Sequence, residues 1–405
     1  MTTDTDTCNV PALLDRFRQY LMTDGPLQQR LAPLYDDNVF AAAAAETAAA
    51  AGIPLSSEDL KACFQPDPLG LSRFDDRPAN DIAWPGKHWL PSAMVAAGPE
   101  FVVDWMHFAG RRLADPFFNE SLMHARALPF NRLMLYRTPL GAFAQGAAGE
   151  ELTVPNGFIF HLSRCGSTLA AQMLTAMDDT IVISEPPPLD AVVQLTHIRK
   201  DVPLETRVDL LRTMVGALGR DWTGTARNYV VKLDSWHTLE LPLFRQAFPD
   251  TPWIFLYRDP VEIMVSHRRM RGLQAVPGGT TVDFGIVDGD HMPFEEFTAR
   301  VLRSVSNAVI EHHGLGGGLV INYDSLPGAI ETQVLPHFGI AHDAKGLAAL
   351  HAASERDAKA PRQGFTRDTE RKQQDATPEI RAAAAEFLAE PYRQLEALRL
   401  AQGAA

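Results

Sequence analysis

The sequence predicts an α/β fold: a doubly wound parallel sheet flanked by helices, with a mainly helical region ahead of it. Two patterns carry this. From residue 157 to about residue 340, short apolar runs of strand length alternate with helical periodicity, as strands joined by helical crossovers require. Before that, residues 11–63 repeat their leucines at helical spacing without a strand between them.

Composition bounds the class. The chain has 405 residues, 46% hydrophobic and 21% charged, which is globular and long enough for two or three domains. A net charge of −13 argues against a broad nucleic-acid surface, while leaving room for a local basic pocket. Cys8, Cys63 and Cys165 are too few and too scattered for a disulfide framework or a zinc site. The opening MTTDTDTCNV lacks a basic segment followed by an apolar one, and no apolar run reaches the length of a membrane span. The expectation is a soluble cytoplasmic protein without a metal.

Taken in order, residues 1–65 form a small helical module. Leu13, Leu14, Phe17 and Leu21 share one helical face, an alanine-rich helix covers Val39–Ala51 with Gly52 closing it, and Ser56–Leu60 begins another with cap-type residues. Residues 66–150 are a linker and helical region. Pro66–Pro91 is rich in Pro, Asp and Gly, and helices are expected over Val102–Leu113, burying Trp105 and Phe108, and over Glu120–Ala127. His88, His107 and His124 lack the spacing of metal ligands and read as packed or solvated. Residues 151–400 are the α/β domain. Its strands are Phe158–Phe160, Thr180–Ile183, Tyr229–Lys232, Trp253–Tyr257 and Leu319–Tyr323, and an amphipathic helix over 378–400 closes it.

The chemistry collects at strand ends. GFIFHLSRCGSTLAAQML (157–174) runs from a buried strand through a small polar turn into a helix. Such a junction aims unpaired backbone N–H groups and a positive helix end at one point, with Arg164 adding charge and Gly166 close approach. It has the form of a phosphate cradle, with an ordinary βα turn as the alternative, and Ser167 stands where a Walker loop has lysine. IFLYRDPVEIMVSHRRM (254–270) places Arg258 just after a strand and Ser266 within the next helix, so both can reach one phosphate. In an open parallel sheet the ligand lies beyond the C-terminal strand ends, where Ser163–Thr168, Glu185, Lys232 with Asp234, Arg258 and Tyr323 fall.

Together the two stretches resemble sulfotransferases that use 3′-phosphoadenosine-5′-phosphosulfate (PAPS), whose fold is P-loop-like. SRCGSTL (163–169) is similar to the family's "PRSGTTL" loop for the 5′-phosphosulfate, and Tyr257-Arg258-Asp259-Pro260 with Ser266 to its 3′-phosphate motif. The resemblance covers roughly 157–375 and implies Arg164, Cys165, Gly166, Ser167, Thr168, Arg258 and Ser266 as donor-binding residues. Ser163 replaces the proline that often opens the loop, and Arg164 the common lysine, as in the tyrosylprotein branch. Cys165 replaces a serine and reads as packing. The resemblance implies Glu185 as the general base that takes the acceptor's proton, with His237 second; the cytosolic branch has its histidine where this chain has Asp234. Arg164 and Lys232 would stabilise the transferring group and the leaving phosphate, although Lys232 can equally pair with Asp234 or Glu185.

Tyr323-Asp324-Ser325-Leu326 resembles the family's "YEDL" turn. The charged stretch 354–372 is similar to a C-terminal loop that closes over the nucleotide, which makes Lys359, Arg362 and Lys372 candidates, against a solvated charge run. Residues 11–63 also resemble a nitrogen-fixation-associated leader-peptide domain, with Ala48–Leu60 matching its "AxxxGxxxSxEDL"; a generic alanine-rich bundle is the alternative. The expected function is transfer of a sulfuryl group from PAPS to a hydroxyl or amine of a small-molecule or peptide acceptor. A non-catalytic nucleotide- or peptide-binding protein on the same fold is the alternative, and a P-loop kinase a third.

Overall fold

The computed structural model describes residues 10–64, 84–134, 136–358, 364 and 368–402. Cys8, Lys359 and Arg362 lie outside the described residues. The chain divides into two compact units: Met1–Arg112 with Asn119–Glu151 and Arg220–Gly224, and Leu113–Phe118 with Leu152–Gly219 and Thr225–Ala405.

The first unit opens with helices Val10–Met22, Gly25–Leu31, Asp37–Ala50 and Ser57–Lys61. Leu13, Leu14, Phe17 and Leu21 are buried, as their spacing required. Asp24 and Asp36 cap their helices, and Ser56 with Asp59 forms a capping box. Gly52, at φ 70°, closes the alanine-rich helix in the left-handed conformation that glycine adopts freely.

A three-stranded antiparallel sheet follows: β1 (Trp89–Ala97), β2 (Glu100–His107) and β3 (Tyr136–Pro139), in that order. This corrects the helix expected over Val102–Leu113. Trp105 and Phe108 are buried as expected, but Trp105 projects from a strand, with its indole N–H on Thr138 Oγ1 at 3.0 Å. Gly98, at φ 62°, turns β1 into β2. His107 is buried with its Nδ1 accepting from the Ala109 N–H at 3.0 Å, a packed histidine. The helix expected over Glu120–Ala127 is found at Phe118–Arg126.

The second unit holds the five parallel strands expected: β4 (Gly157–His161), β5 (Thr180–Ser184), β6 (Asn228–Lys232), β7 (Trp253–Tyr257) and β8 (Gly318–Asn322). Their order is β5-β6-β4-β7-β8. The chain leaves β4 to build one side, returns through β6, and crosses to β7 on the other side. The C-terminal end of β4 is therefore the point where the winding reverses, and a crevice opens there. Every residue of β4, β5, β6 and β7 is buried, which explains why the strands read as unbroken apolar runs. Phe158 and Phe160 both pack against Phe244, at ring centroid distances of 5.3 and 5.4 Å.

Helices at Pro187–Ile198, Phe294–His312 and Ala344–Ser354 escaped the sequence. The first of these begins directly after Glu185-Pro186, at a run of prolines. Proline in a helix's first turn forfeits no hydrogen bond, so the run starts the helix. No helix among the described residues is long and apolar enough to cross a membrane.

Candidate active site

The turn after β4 carries two residues in left-handed backbone conformations. Arg164 adopts φ 65°, a left-handed conformation unusual for a residue with a side chain. Gly166, at φ 90°, caps the Ser167–Thr175 helix. A Cβ there would lie 2.7 Å from the Tyr323 ring, so only glycine fits. Arg164 Nη2 donates to the Met270 carbonyl at 2.8 Å. Cys165 is fully buried and its thiol is pushed up to about 12 by burial, so its side chain packs and only its backbone faces the turn.

The turn after β7 brings the second cation. Arg258 is buried, stacks 3.8 Å from the Tyr323 ring centroid, and pairs with Glu262 and, at 2.7 Å, with Asp368. Burial pulls its pKa down, but the Asp368 hydrogen bond together with Tyr323 and Glu262 holds it above its ordinary value. Ser266 sits one helical turn beyond Glu262, its hydroxyl donating to the Glu262 carbonyl at 2.8 Å. Lys372 pairs with Asp368 at 3.0 Å.

These groups face one cavity of about 320 Å³ whose wall includes Arg164, Gly166, Ser167, Thr168, Arg258 and Ser266. Tyr323, Asp368 and Lys372 complete it, with Arg269 and Met270. Two motifs some ninety residues apart in sequence thus line the same space. Of the cations expected from the C-terminal stretch, Lys372 is in this wall.

Glu185 and Lys232 lie at the neighbouring strand ends, after β5 and β6, and are bonded to each other. Of the two partners considered for Lys232, Glu185 is the one it hydrogen-bonds. Lys232 is fully buried, with Nζ 5.2 Å from the Phe117 ring centroid. Glu185 takes φ 50° and receives its backbone position from the Lys232 carbonyl, which accepts its N–H at 2.8 Å. Burial pushes the Glu185 carboxyl up, but Lys232 and His161 together hold it below its ordinary value. His161 is buried, 3.5 Å from Glu185 Oε1 and 2.8 Å from the Leu233 carbonyl through Nε2.

His237, the second base candidate, lies beyond β6 in the turn after Lys232. It is fully buried, with Nε2 on Asp190 at 2.9 Å and Nδ1 without a hydrogen-bond partner. Asp190 also accepts the Trp236 indole N–H at 2.7 Å, and Gln194 donates to it. Asp190, Asp234 and His237 gather their ligand-type atoms within 4.8 Å. Asp234 is buried and its pKa is raised by that burial, then by Glu185 and Asp190. This arrangement braces the turn that follows Lys232.

Sequence reasoning missed His161, Asp190 and Asp368; it placed Tyr323 at the strand ends but not its ring against Arg258. His161 is the last residue of β4, directly after the recognised run Phe158–Phe160, and its polarity beside that run was the available signal. Asp368 acts across 110 residues and left no local pattern.

No protein-family model matches the chain, and no curated protein matches it. Nine chains of solved structures match, among them the following three. Sulfotransferase STF9 from Mycobacterium avium shares 12% identity at a TM-score of 0.38, over 62% of this chain and 81% of that one. The sulfotransferase domain of the Synechococcus PCC 7002 olefin synthase shares 14% at 0.35, over 61% and 95%. Sulfotransferase STF1 from Mycobacterium tuberculosis H37Rv shares 14% at 0.33, over 52% and 77%. Overlaps this loose carry no weight for function.

Proposed function

We propose that the chain is a sulfotransferase that moves a sulfuryl group from PAPS to a hydroxyl or amine acceptor. One observation carries this: the helix-capping turn at Arg164–Thr168 and the Arg258–Ser266 segment line a single cavity. A donor with phosphates at both its 3′ and 5′ positions needs two such anion sites joined by a space for the nucleoside. The residues fit it. Gly166 permits close backbone approach, Ser167 and Thr168 offer hydroxyls at a helix N-terminus, and Arg258 Nη1 has no partner among the described residues. The Walker lysine of a nucleoside triphosphatase is replaced by Ser167.

In this proposal Arg164 and the amides of 165–168 hold the 5′-phosphosulfate, while Arg258, Ser266 and Lys372 hold the 3′-phosphate. Arg258 and Lys372 must then exchange Asp368 for the ligand's phosphate. The acceptor oxygen forms a bond to sulfur as the sulfur–oxygen bond to the 5′-phosphate breaks, and Glu185 takes the acceptor's proton. Charge grows on the departing phosphate, where Arg164 and Lys232 oppose it; such positioning and electrostatic terms dominate transfers of this kind. As Lys232 turns toward that charge, Glu185 loses the partner that holds its proton affinity down and becomes a better base. No step calls for a metal.

Transfer from radiolabelled PAPS to a panel of phenols, alcohols, amines and peptides, with a metal chelator present, tests the reading. Wild type is expected to label at least one class, and Glu185→Gln to slow it by about a hundredfold or more. Loss of all labelling on chelation would point to phosphoryl-type chemistry instead. Whether residues 1–65 recruit a leader-bearing peptide is tested by deleting them: unchanged acceptor preference would exclude that role.

A further inference from the structure

The phosphosulfate loop lacks the proline that opens similar loops, and Ser163 stands in its place. Another restraint is present. His267, the residue after Ser266, is fully buried, with Nε2 2.6 Å from Ser163 Oγ. Its Nδ1 accepts the Gly272 N–H at 3.3 Å. A backbone N–H can only donate, so Nδ1 is bare and Nε2 carries the hydrogen donated to Ser163. Gly272 lies two residues beyond Met270, whose carbonyl receives the Arg164 guanidinium at 2.8 Å. One imidazole therefore grips the residue before Arg164 and the turn that holds its far end. The fit is close: a Cβ on Gly272 would lie 3.0 Å from His267 Cε1. Arg164's left-handed backbone, at φ 65°, persists only where its surroundings enforce it.

We propose that His267 is a positioning residue: through Ser163 and the 270–272 turn it holds Arg164 in the conformation that meets the 5′-phosphosulfate. The ligand named here rests on the sulfotransferase reading; the restraint on Arg164 does not. His267 thereby links the two anion sites, since its neighbour Ser266 serves the other one.

Calorimetric titration separates the two sites with two probes, adenosine 3′,5′-bisphosphate and adenosine 3′-monophosphate. His267→Phe is expected to weaken the bisphosphate about tenfold and leave the monophosphate within about twofold, as loss of a buried hydrogen bond acting on one site predicts. Ser163→Ala should reproduce the effect, and the double variant should be no worse than either single one. His267→Gln, whose amide can still donate to Ser163, should recover most of the affinity. Equal weakening of both nucleotides, or no recovery with glutamine, would reduce His267 to a packing residue and overturn the proposal. If wild type binds neither nucleotide, the sulfotransferase reading fails, and hydrogen exchange then decides the restraint on its own. Faster exchange at 164–168 in Ser163→Ala with unchanged melting supports it; unchanged exchange overturns it.

Discussion

Glu185 is held as an anion by a lysine that has no access to water, and this governs what both residues can do. Replacing Glu185 with alanine leaves Lys232 buried without its partner, which should cost about 3–5 kcal/mol of stability, read as a lowered melting temperature. Glu185→Gln keeps a carbonyl oxygen for Lys232 and should melt much closer to wild type. The sign of the pH dependence follows from the depressed carboxyl. As pH falls below the ordinary glutamate range the unfolded chain takes up the proton first. The pair's contribution is therefore whole above that range and is lost as pH falls through the lower folded value. For the same reason kcat/KM should show no acid limb between about pH 5 and 7; a limb near pH 6.5 would indicate a histidine base instead. At Arg258, truncation to alanine should weaken bisphosphate binding by about tenfold to a hundredfold, the loss of a charge-assisted hydrogen bond. These residues were legible because each follows a strand and belongs to a short motif. Asp368 was not, because its part is played against Arg258 from a distant place in the chain.

Among the elements, the parallel sheet was readable because its strands are buried on both faces and form unbroken apolar runs. The antiparallel sheet was not. In β2, Val102, Val103, Trp105 and Met106 are all buried, so the alternation that marks a half-exposed strand is missing and a helical spacing fits equally well. The Gly98-Pro99 pair was the discriminating signal, a turn between two β-forming runs. The helix at Pro187–Ile198 was hidden by the same residues that start it. The β4–turn–helix element depends most on Gly166. Gly166→Ala should destabilise the chain by about 1–3 kcal/mol, from the left-handed backbone and the Tyr323 ring, and should abolish measurable bisphosphate binding. Differential scanning calorimetry and titration of the same sample would check both.

At the scale of the whole molecule, residue 151 is not a clean cut. The unit that holds the site also includes Leu113–Phe118, where Phe117 lies over Lys232 and the Asp115 carbonyl accepts from Gln172 at 3.2 Å. A fragment of residues 151–405 should therefore melt below the full chain and bind the bisphosphate more weakly; equal melting and binding would show those contacts to be dispensable. This segment was invisible in the sequence because it is short and separated from the sheet by more than thirty residues that belong to the other unit. The central claim is that two anion sites in one cavity receive a nucleotide phosphorylated at both ends. Titration of the full chain with adenosine 3′,5′-bisphosphate, beside ATP and beside Arg258→Ala, tests it most directly. The account predicts micromolar binding of the bisphosphate, much weaker binding of ATP, and about tenfold to a hundredfold weaker bisphosphate binding in the variant. Tight ATP binding that survives Arg258→Ala, or no binding of the bisphosphate, would contradict it.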